Sequence, residues 1–405
     1  MSEVKNIPEG WLETTLGEIC NPKGGKRLPK GMTLVNYKTN HPYIRITDFN
    51  GNQINKHQLQ YVTDDIFKHI SRYIVNKNDV IITIVGTVGL VAQIDRELDK
   101  ASLTENCTKL VDLKNVDSTY LYYFLISKNG QDEIVKNTVG AVQKKLPIYG
   151  VQNINITLPT SITVQKSIAA ILTAFDDKIE LLQAQNKTLE ETAQTIFTEW
   201  CGKYSIDDEL PDGYKFGTLG EVSFNHSKTF KFKNEKVVFV NTGDVLEGQF
   251  LHSNEISPIG LPGQAKKAIE LYDIFYSEIR PKNKRFAFVD FDTSNYVVST
   301  KFMIIRPKND FSPFILYLIL KKQDTIDEFN IVAESRSGTF PQITFDSVKS
   351  FPILILSKQK QNEFDDLLIP IMEKKKINHQ QIQTLTKTRD ELLPRLMSGE
   401  VRVKM

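Results

Sequence analysis

The chain has 405 residues, 40% hydrophobic and 25% charged, ordinary values for a globular protein of two or three domains. Its 51 Lys and Arg against 49 Asp and Glu leave a formal net charge of +2, which excludes a polycationic tail protein and an acidic disordered chain. Three distant cysteines, Cys20, Cys107 and Cys201, with no CxxC and no Cys/His cluster, argue against a disulfide framework and a structural zinc site.

The N-terminus, Met1 to Trp11, has no apolar stretch of the signal-peptide kind. Pro22, Gly24, Gly25, Pro29 and Gly31 mark a long irregular loop. From Asn21 to Arg45 the charges are Lys23, Lys26, Arg27, Lys30, Lys38 and Arg45, with no acidic residue and with Tyr37, His41 and Tyr43 interleaved. The longest apolar stretch, Val80 to Ile94, is broken by Thr83, Gly86, Thr87, Gly89 and Gln93 and is too short to span a bilayer. A soluble, cytoplasmic protein is expected. Gly86-Thr-Val-Gly89 reads as a tight strand connection, Gln143-Lys144-Lys145 adds charge, and Asn153 to Leu158 alternates like a half-buried strand.

Ile168, Leu172, Phe175, Ile179, Leu182, Asn186, Leu189, Ala193 and Ile196 are spaced alternately by four and three, the seam of a coiled coil. Asn186 falls at an a position, where a polar residue fixes register at some expense of stability. A helix packed on its own domain is the alternative reading.

The chain then repeats itself with a period of roughly 200 residues, a duplicated domain. Ile7-Pro-Glu-Gly-Trp11 returns as Leu210-Pro-Asp-Gly-Tyr214, and Thr15-Leu-Gly-Glu-Ile19 as Thr218-Leu-Gly-Glu-Val222. Tyr120 to Ile126 echoes Phe314 to Leu320, and Gln143 with Leu146 echoes Gln342 and the apolar run after it. Lys228, Lys231 and Lys233, with Asn225, Phe230 and Phe232, match the first basic loop. Another irregular loop surrounds Pro258, Gly260, Pro262 and Gly263. Arg280-Pro281-Lys282-Asn283-Lys284-Arg285 is a compact cationic loop; Phe286–Phe291 and Tyr296–Ile305 read as strands; Arg336 and Gln342 follow. The second long helix carries Phe364, Leu368, Ile371, Ile382, Leu385 and Leu392, a stripe interrupted by Lys375, Asn378 and Arg389. Pro370 is expected to kink or break it and Pro394 to stop it before Gly399.

The expected fold is α+β: two homologous β-rich domains, 1–160 and 204–356, separated by two long antiparallel coiled-coil helices, 161–203 and 357–405, with a pseudo-two-fold internal repeat. About 33 helical residues make a rod of about 50 Å.

No Walker A, GxGxxG, HExxH or GxSxG motif is present. His41, His57, His69, His226, His252 and His379 are scattered, and the pairs Asp64-Asp65, Asp176-Asp177, Asp207-Asp208 and Asp365-Asp366 read as solvated faces. No catalytic and no metal site is expected. Cationic loops neutralise phosphates, while Arg, Gln and Asn pair with base edges. The basic runs recur at matched positions, which makes Lys23, Lys26, Arg27, Lys30, Arg45, Gln143, Lys144, Lys145, Lys228, Lys231, Lys233, Arg280, Lys282, Lys284, Arg285, Arg336 and Gln342 the DNA-binding candidates. Lys26, Arg27, Arg45 and Lys144 are expected to touch DNA in the first half, and Lys228, Lys231, Arg280 and Lys284 in the second. Arg280 could equally pair with an internal carboxylate. No helix-turn-helix, zinc finger or basic zipper is visible, so loops on a β scaffold would do the reading. Two rivals stay open: a coiled-coil protein–protein adaptor without DNA binding, and an enzyme whose carboxylates meet only in space.

The chain resembles the specificity (S) subunits of type I restriction–modification systems. The resemblance rests on the repeated Pro-x-Gly-Trp/Tyr followed by Thr-Leu-Gly-Glu, on Asp273-Ile-Phe-Tyr-Ser-Glu-Ile-Arg-Pro281 followed by Val298-Ser-Thr, on Gln165-Lys-Ser-Ile-Ala-Ala-Ile-Leu opening a helix, and on Leu392-Leu-Pro-Arg-Leu-Met-Ser-Gly-Glu-Val-Arg at the end. It implies two target-recognition domains, each reading half of a bipartite, asymmetric site in double-stranded DNA. The helix pair would set the gap and dock methyltransferase (M) subunits, two of them, and through these restriction (R) motor-nuclease subunits. S-adenosylmethionine, ATP and Mg²⁺ would belong to those partners, and this chain would be non-catalytic. Members often carry a Gly-Gly-Thr-Pro-like loop; here it is Gly24-Gly25-Lys26-Arg27-Leu28-Pro29, and the second half lacks the glycines. Unlike loops imply unlike half-sites.

Overall fold

The computed structural model describes residues 7–403 apart from Ile206, His252, Ser253 and Asn309, and apart from the Gln249 side chain. Of the readings above, residues 1–6 of the N-terminus and His252 lie outside the described residues. The chain divides into two compact units, Met1–Leu181 with Ile382–Met405, and Leu182–Gln381.

Each unit is built on one plan. Trp11–Thr15 pairs antiparallel with Asn155–Pro159, and Tyr214–Thr218 with Pro352–Leu356. Ile156 and Leu158 turn inward between half-buried Asn155 and Thr157, as the alternation predicts. One short helical turn follows in each unit, Leu16–Ile19 and Leu219–Val222, each plugging the core with a fully buried leucine. A four-stranded antiparallel sheet comes next. Its order is Asn21–Gly24, Cys107–Val111, Val80–Thr83, Val91–Gln93 in the first unit. In the second it is Ser223–Asn225, Phe302–Pro307, Ile274–Ser277, Phe286–Phe288. A smaller sheet contains one parallel pair in each unit, Pro42–Ile44 with Ser102–Leu103 and Val237–Val240 with Tyr296–Ser299. Only the second unit adds the strand Ala265–Ala268 to it. Each unit also has a tiny hairpin, Phe49–Asn50 with Gln53–Ile54 and Val245–Leu246 with Gln249–Phe250.

The segment expected as one strand, Tyr296–Ile305, is two strands in different sheets. The chain crosses between the sheets at Thr300 and Lys301, whose amides donate to Gln264 O and Ser299 Oγ. The runs on both sides of the crossing are buried, apolar and β-branched, and only the short polar step Ser299-Thr300-Lys301 between them marks the change of sheet. Likewise Phe286–Phe291 is strand only to Phe288.

The largest cores join these sheets to the helices. In the first unit Val80, Ile82, Leu110, Tyr120, Phe124 and Leu158 pack with Ile168 and Leu172 of one long helix and Leu392, Leu396 and Met397 of the other. In the second, Ile274, Tyr276, Met303, Phe314 to Leu320 and Phe329 pack with Ala193, Ile196 and Phe197, and with Phe364, Leu368 and Ile371. Each such side chain contributes roughly 1.5–3 kcal/mol when buried. The ends of the stripe are therefore domain core, so the two readings of the long helices both hold in part.

The first long helix runs Ile162–Phe197 and continues through a π turn, Thr198–Gly202; the second runs Lys358–Met397. Neither proline acts as expected. Pro370 is exposed and the helix passes it unbroken, because its neighbours Leu368 and Ile371 are held in the core. Pro394 lies inside the last turn, which buried Leu396 and Met397 hold down, and the helix ends before Gly399, which takes a φ of +73°.

The three residues expected to interrupt the second stripe are instead its pairing groups. Arg389 donates to Asp176 at 2.6 Å, while the Tyr123 hydroxyl donates to the other Asp176 oxygen at 2.7 Å. The Asn378 side chain is fully buried and donates to Asn186 Oδ1 at 3.0 Å. Lys375 and Lys321 both pair with Glu190. In the second unit partner numbers fall along one helix as they rise along the other, Asn186 with Asn378 and Glu190 with Lys375, so the pairing there is antiparallel.

Candidate nucleic-acid interface

In the first unit the end of Val80–Thr83 gathers three other loops. Thr83 closes the turn Ile84–Gly89: its amide donates to Leu90 O at 2.9 Å and its hydroxyl to Thr87 O at 2.6 Å. Ile84 N donates to Asn106 O, and Leu146 N to Ile84 O. Val85 bridges to Lys145, which exchanges two backbone hydrogen bonds of 2.8 Å with Val139. Gly25 N and Lys26 N donate to Cys107 O and Leu103 O. Only glycine fits at 25, since a Cβ there would lie 2.1 Å from Thr104 O.

This brings Lys26, Arg27, Gln143, Lys144 and Lys145 to one edge, all exposed. Arg27, 80% exposed, pairs with Glu105 at 2.7 Å. Partial burial pushes the Glu105 carboxyl up, but Arg27 and its other donors hold it below its ordinary value. Lys26 Nζ lies 5.7 Å from the Tyr73 ring centre, a weak cation–π contact. Lys30 is also exposed. Lys23 pairs with Asp112 at 3.2 Å. Arg45 is occupied inside the fold: it grips fully buried Asp48 at 2.6 and 3.1 Å and also bonds Gln60. Arg45 thus braces this part of the fold.

The second unit repeats the arrangement. Ile343 N donates to Glu278 O, Ile279 bridges to Gln342, and Arg280 N donates to Pro341 O. Arg280 and Gln342 are exposed, and no carboxylate pairs with Arg280 among the described residues, which removes that alternative. Arg336 reaches Thr344 Oγ1 at 3.4 Å. Lys282 lies 3.6 Å from Glu334, Lys284 2.9 Å from Glu247, and Lys228 3.1 Å from Glu270. Lys231 and Lys233 are exposed. Arg285 donates to Val245 O at 2.7 Å and to Gly243 O at 3.4 Å, so it too braces the fold. The sequence reading missed Phe340, 70% exposed beside this edge, and fully exposed Val142 beside the first. Their place next to the matched Gln342 and Gln143 was the available signal.

Burial pushes the Cys20, Cys107 and Cys201 thiols up to about 12. Among the described residues no group of three His, Cys, Asp or Glu side chains could hold a metal ion, and no helix is long and apolar enough to cross a membrane. What the two edges offer chemically is a row of exposed cations and amides on loops pinned by backbone hydrogen bonds, the chemistry of phosphate and base-edge contact.

Residues 8–191 and 211–387 each match the family described as the type I restriction modification DNA specificity domain, and the chain belongs to that family. The HindI type I restriction enzyme specificity subunit of Haemophilus influenzae is 51% identical over 174 residues, 42% of this chain and 38% of that protein. The MjaIX specificity subunit of Methanocaldococcus jannaschii is 25% identical over 431 residues, covering 100% of this chain and 96% of that one. The crystal structure of the type I restriction–modification S subunit from M. genitalium superposes with a TM-score of 0.62 at 17% identity, over 100% of this chain and 99% of that one, so the fold is shared.

Proposed function

We propose that this chain is the non-catalytic specificity subunit of a type I restriction–modification complex in the cytoplasm, each unit reading one half of a bipartite, asymmetric DNA site. The observation that carries the proposal is the duplicated edge: one strand end, one set of backbone hydrogen bonds and one cluster of exposed cations and amides in each unit. The loops differ between units, so the half-sites differ. Lys26, Arg27, Gln143, Lys144 and Lys145 contact the first half, and Lys231, Lys233, Arg280, Arg336 and Gln342 the second.

The long helices set the gap between half-sites. They also expose Leu181, Leu367, Ile369 and Ile377, apolar surface suited to docking methyltransferase subunits and, through them, the motor-nuclease. S-adenosylmethionine, ATP and Mg²⁺ act in those partners.

The test is a binding selection from randomised duplex DNA by the full chain assembled with its methyltransferase partner. A two-part motif with a constant gap is expected. Lys144→Ala with Lys145→Ala should weaken binding across sequences and lower the salt slope by about 2. A complex that enriches no motif refutes the proposal and favours a protein–protein adaptor.

A further inference from the structure

Three charged residues of the second unit stand where the first unit uses glycine. Matching the strand ends through Ile84 and Glu278, whose carbonyls accept from Leu146 N and Ile343 N, sets Gly86 on Arg280. Their φ angles are +79° and +46°. Each loop closes where the last strand amide donates to a carbonyl, Thr83 N to Leu90 O and Ser277 N to Arg285 O. The residues just before closure are Gly89, φ +93°, and Lys284, φ +54°. The small hairpins turn at Gly51, φ +60°, and at Glu247, φ +49°. Left-handed backbone suits glycine and strains a long L side chain. Such strain persists where the surroundings over-determine it, and it gathers at functional sites.

The three strained residues form one cluster. Glu247 N donates to Lys284 O at 2.8 Å, and Lys284 Nζ lies 2.9 Å from Glu247 Oε1. Lys284 N donates to Pro281 O at 2.8 Å, and Asn283 N to Arg280 O at 2.9 Å, around a buried Pro281. Glu247 and Lys284 thus engage each other, whereas the exposed Arg280 side chain has no partner among the described residues, its amide tied to Pro341 O beside Gln342.

Resting on the DNA-reading role above, we propose that Arg280 is a base-reading, specificity-determining residue of the second half-site and that the Glu247–Lys284 pair positions it. A backbone fixed at Arg280 sets where the side chain starts and which way it leaves the loop, and from there the guanidinium can pair bidentately with O6 and N7 of guanine.

The experiment repeats the duplex selection with full-chain variants in the assembled complex, reading motif, salt slope and melting temperature. Arg280→Gly should leave the melting temperature unchanged or raised and cost tenfold or more in discrimination at one base pair of the second half-site, with the first half-site intact. Arg280→Lys should keep the salt slope and lose the same discrimination. Glu247→Gly should weaken discrimination at that base pair without changing the salt slope. A motif unchanged in Arg280→Gly, with only the salt slope lowered by about 1, would make Arg280 a phosphate contact and overturn the inference. A lower melting temperature with an unchanged motif would make the cluster structural and overturn it too. A wild-type complex that enriches no motif would instead sink the DNA-reading function, and the inference with it.

Discussion

Replacing both asparagines of the helix seam should make the second unit more stable. Asn378 is fully buried; its Nδ2 donates to Asn186, but its Oδ1 has no partner among the described atoms. An unpaired buried carbonyl costs about 1–3 kcal/mol, and the amide–amide bond returns about 1 kcal/mol. A leucine buried at 378 adds about 1.5–3 kcal/mol, while half-buried 186 adds less. The Asn186→Leu, Asn378→Leu double variant should therefore gain about 3 kcal/mol. For a unit of this size that is about 6–12 °C in melting temperature, read by scanning calorimetry on the full chain. The gain should come at the expense of register, since two leucines no longer require each other's company. In the assembled complex the enriched motif should then show more than one gap length. An unchanged or lower melting temperature would refute the reasoning about the seam.

Two other perturbations test the fold around the reading edges. Gly25→Ala should destabilise the first unit by about 2–4 kcal/mol, because the new Cβ meets immobile backbone at Thr104 and Leu103 and both local hydrogen bonds must break; Gly24→Ala, with nothing within 4 Å, should change the melting temperature by less than a degree or two. Burial raises the Glu278 carboxyl above its ordinary value although Lys267 and Lys301 oppose it, so the folded state holds that proton more tightly than the unfolded one. The penalty is absent below the unfolded value of about 4.3 and sets in as pH climbs through the folded value. Glu278→Gln should thus raise the melting temperature at pH 7 and leave it unchanged near pH 4; an equal effect at both would count against this assignment.

Much of the architecture was legible because it is written in spacing. The duplication lies in Thr15-Leu-Gly-Glu and Thr218-Leu-Gly-Glu, and the antiparallel helices lie in a stripe of fours and threes. What misled was reading polarity as interruption. Lys375, Asn378 and Arg389 break a hydrophobic pattern, yet each meets a polar group on the opposite helix, a fact carried by the partner's position and not by the residue. Arg45 and Arg285 show the converse. A cation in a basic run counts as surface until a buried carboxylate such as Asp48, or a carbonyl such as Val245 O, claims it. Pro370 and Pro394 read as stops because propensity is local, while core packing on either side of them is not.

The seam also bears on how a crowded chain finds itself. Setting Gln165 on Gln361 and Leu172 on Leu368 aligns the two helices residue for residue, and by that alignment Asn186 corresponds to Ile382 and Asn378 to Leu182. Two identical helices from neighbouring molecules, laid side by side in the same register, would set each amide against a greasy neighbour, twice over. Pairing of like helices between copies is thereby penalised, and each helix is steered toward one of the other kind.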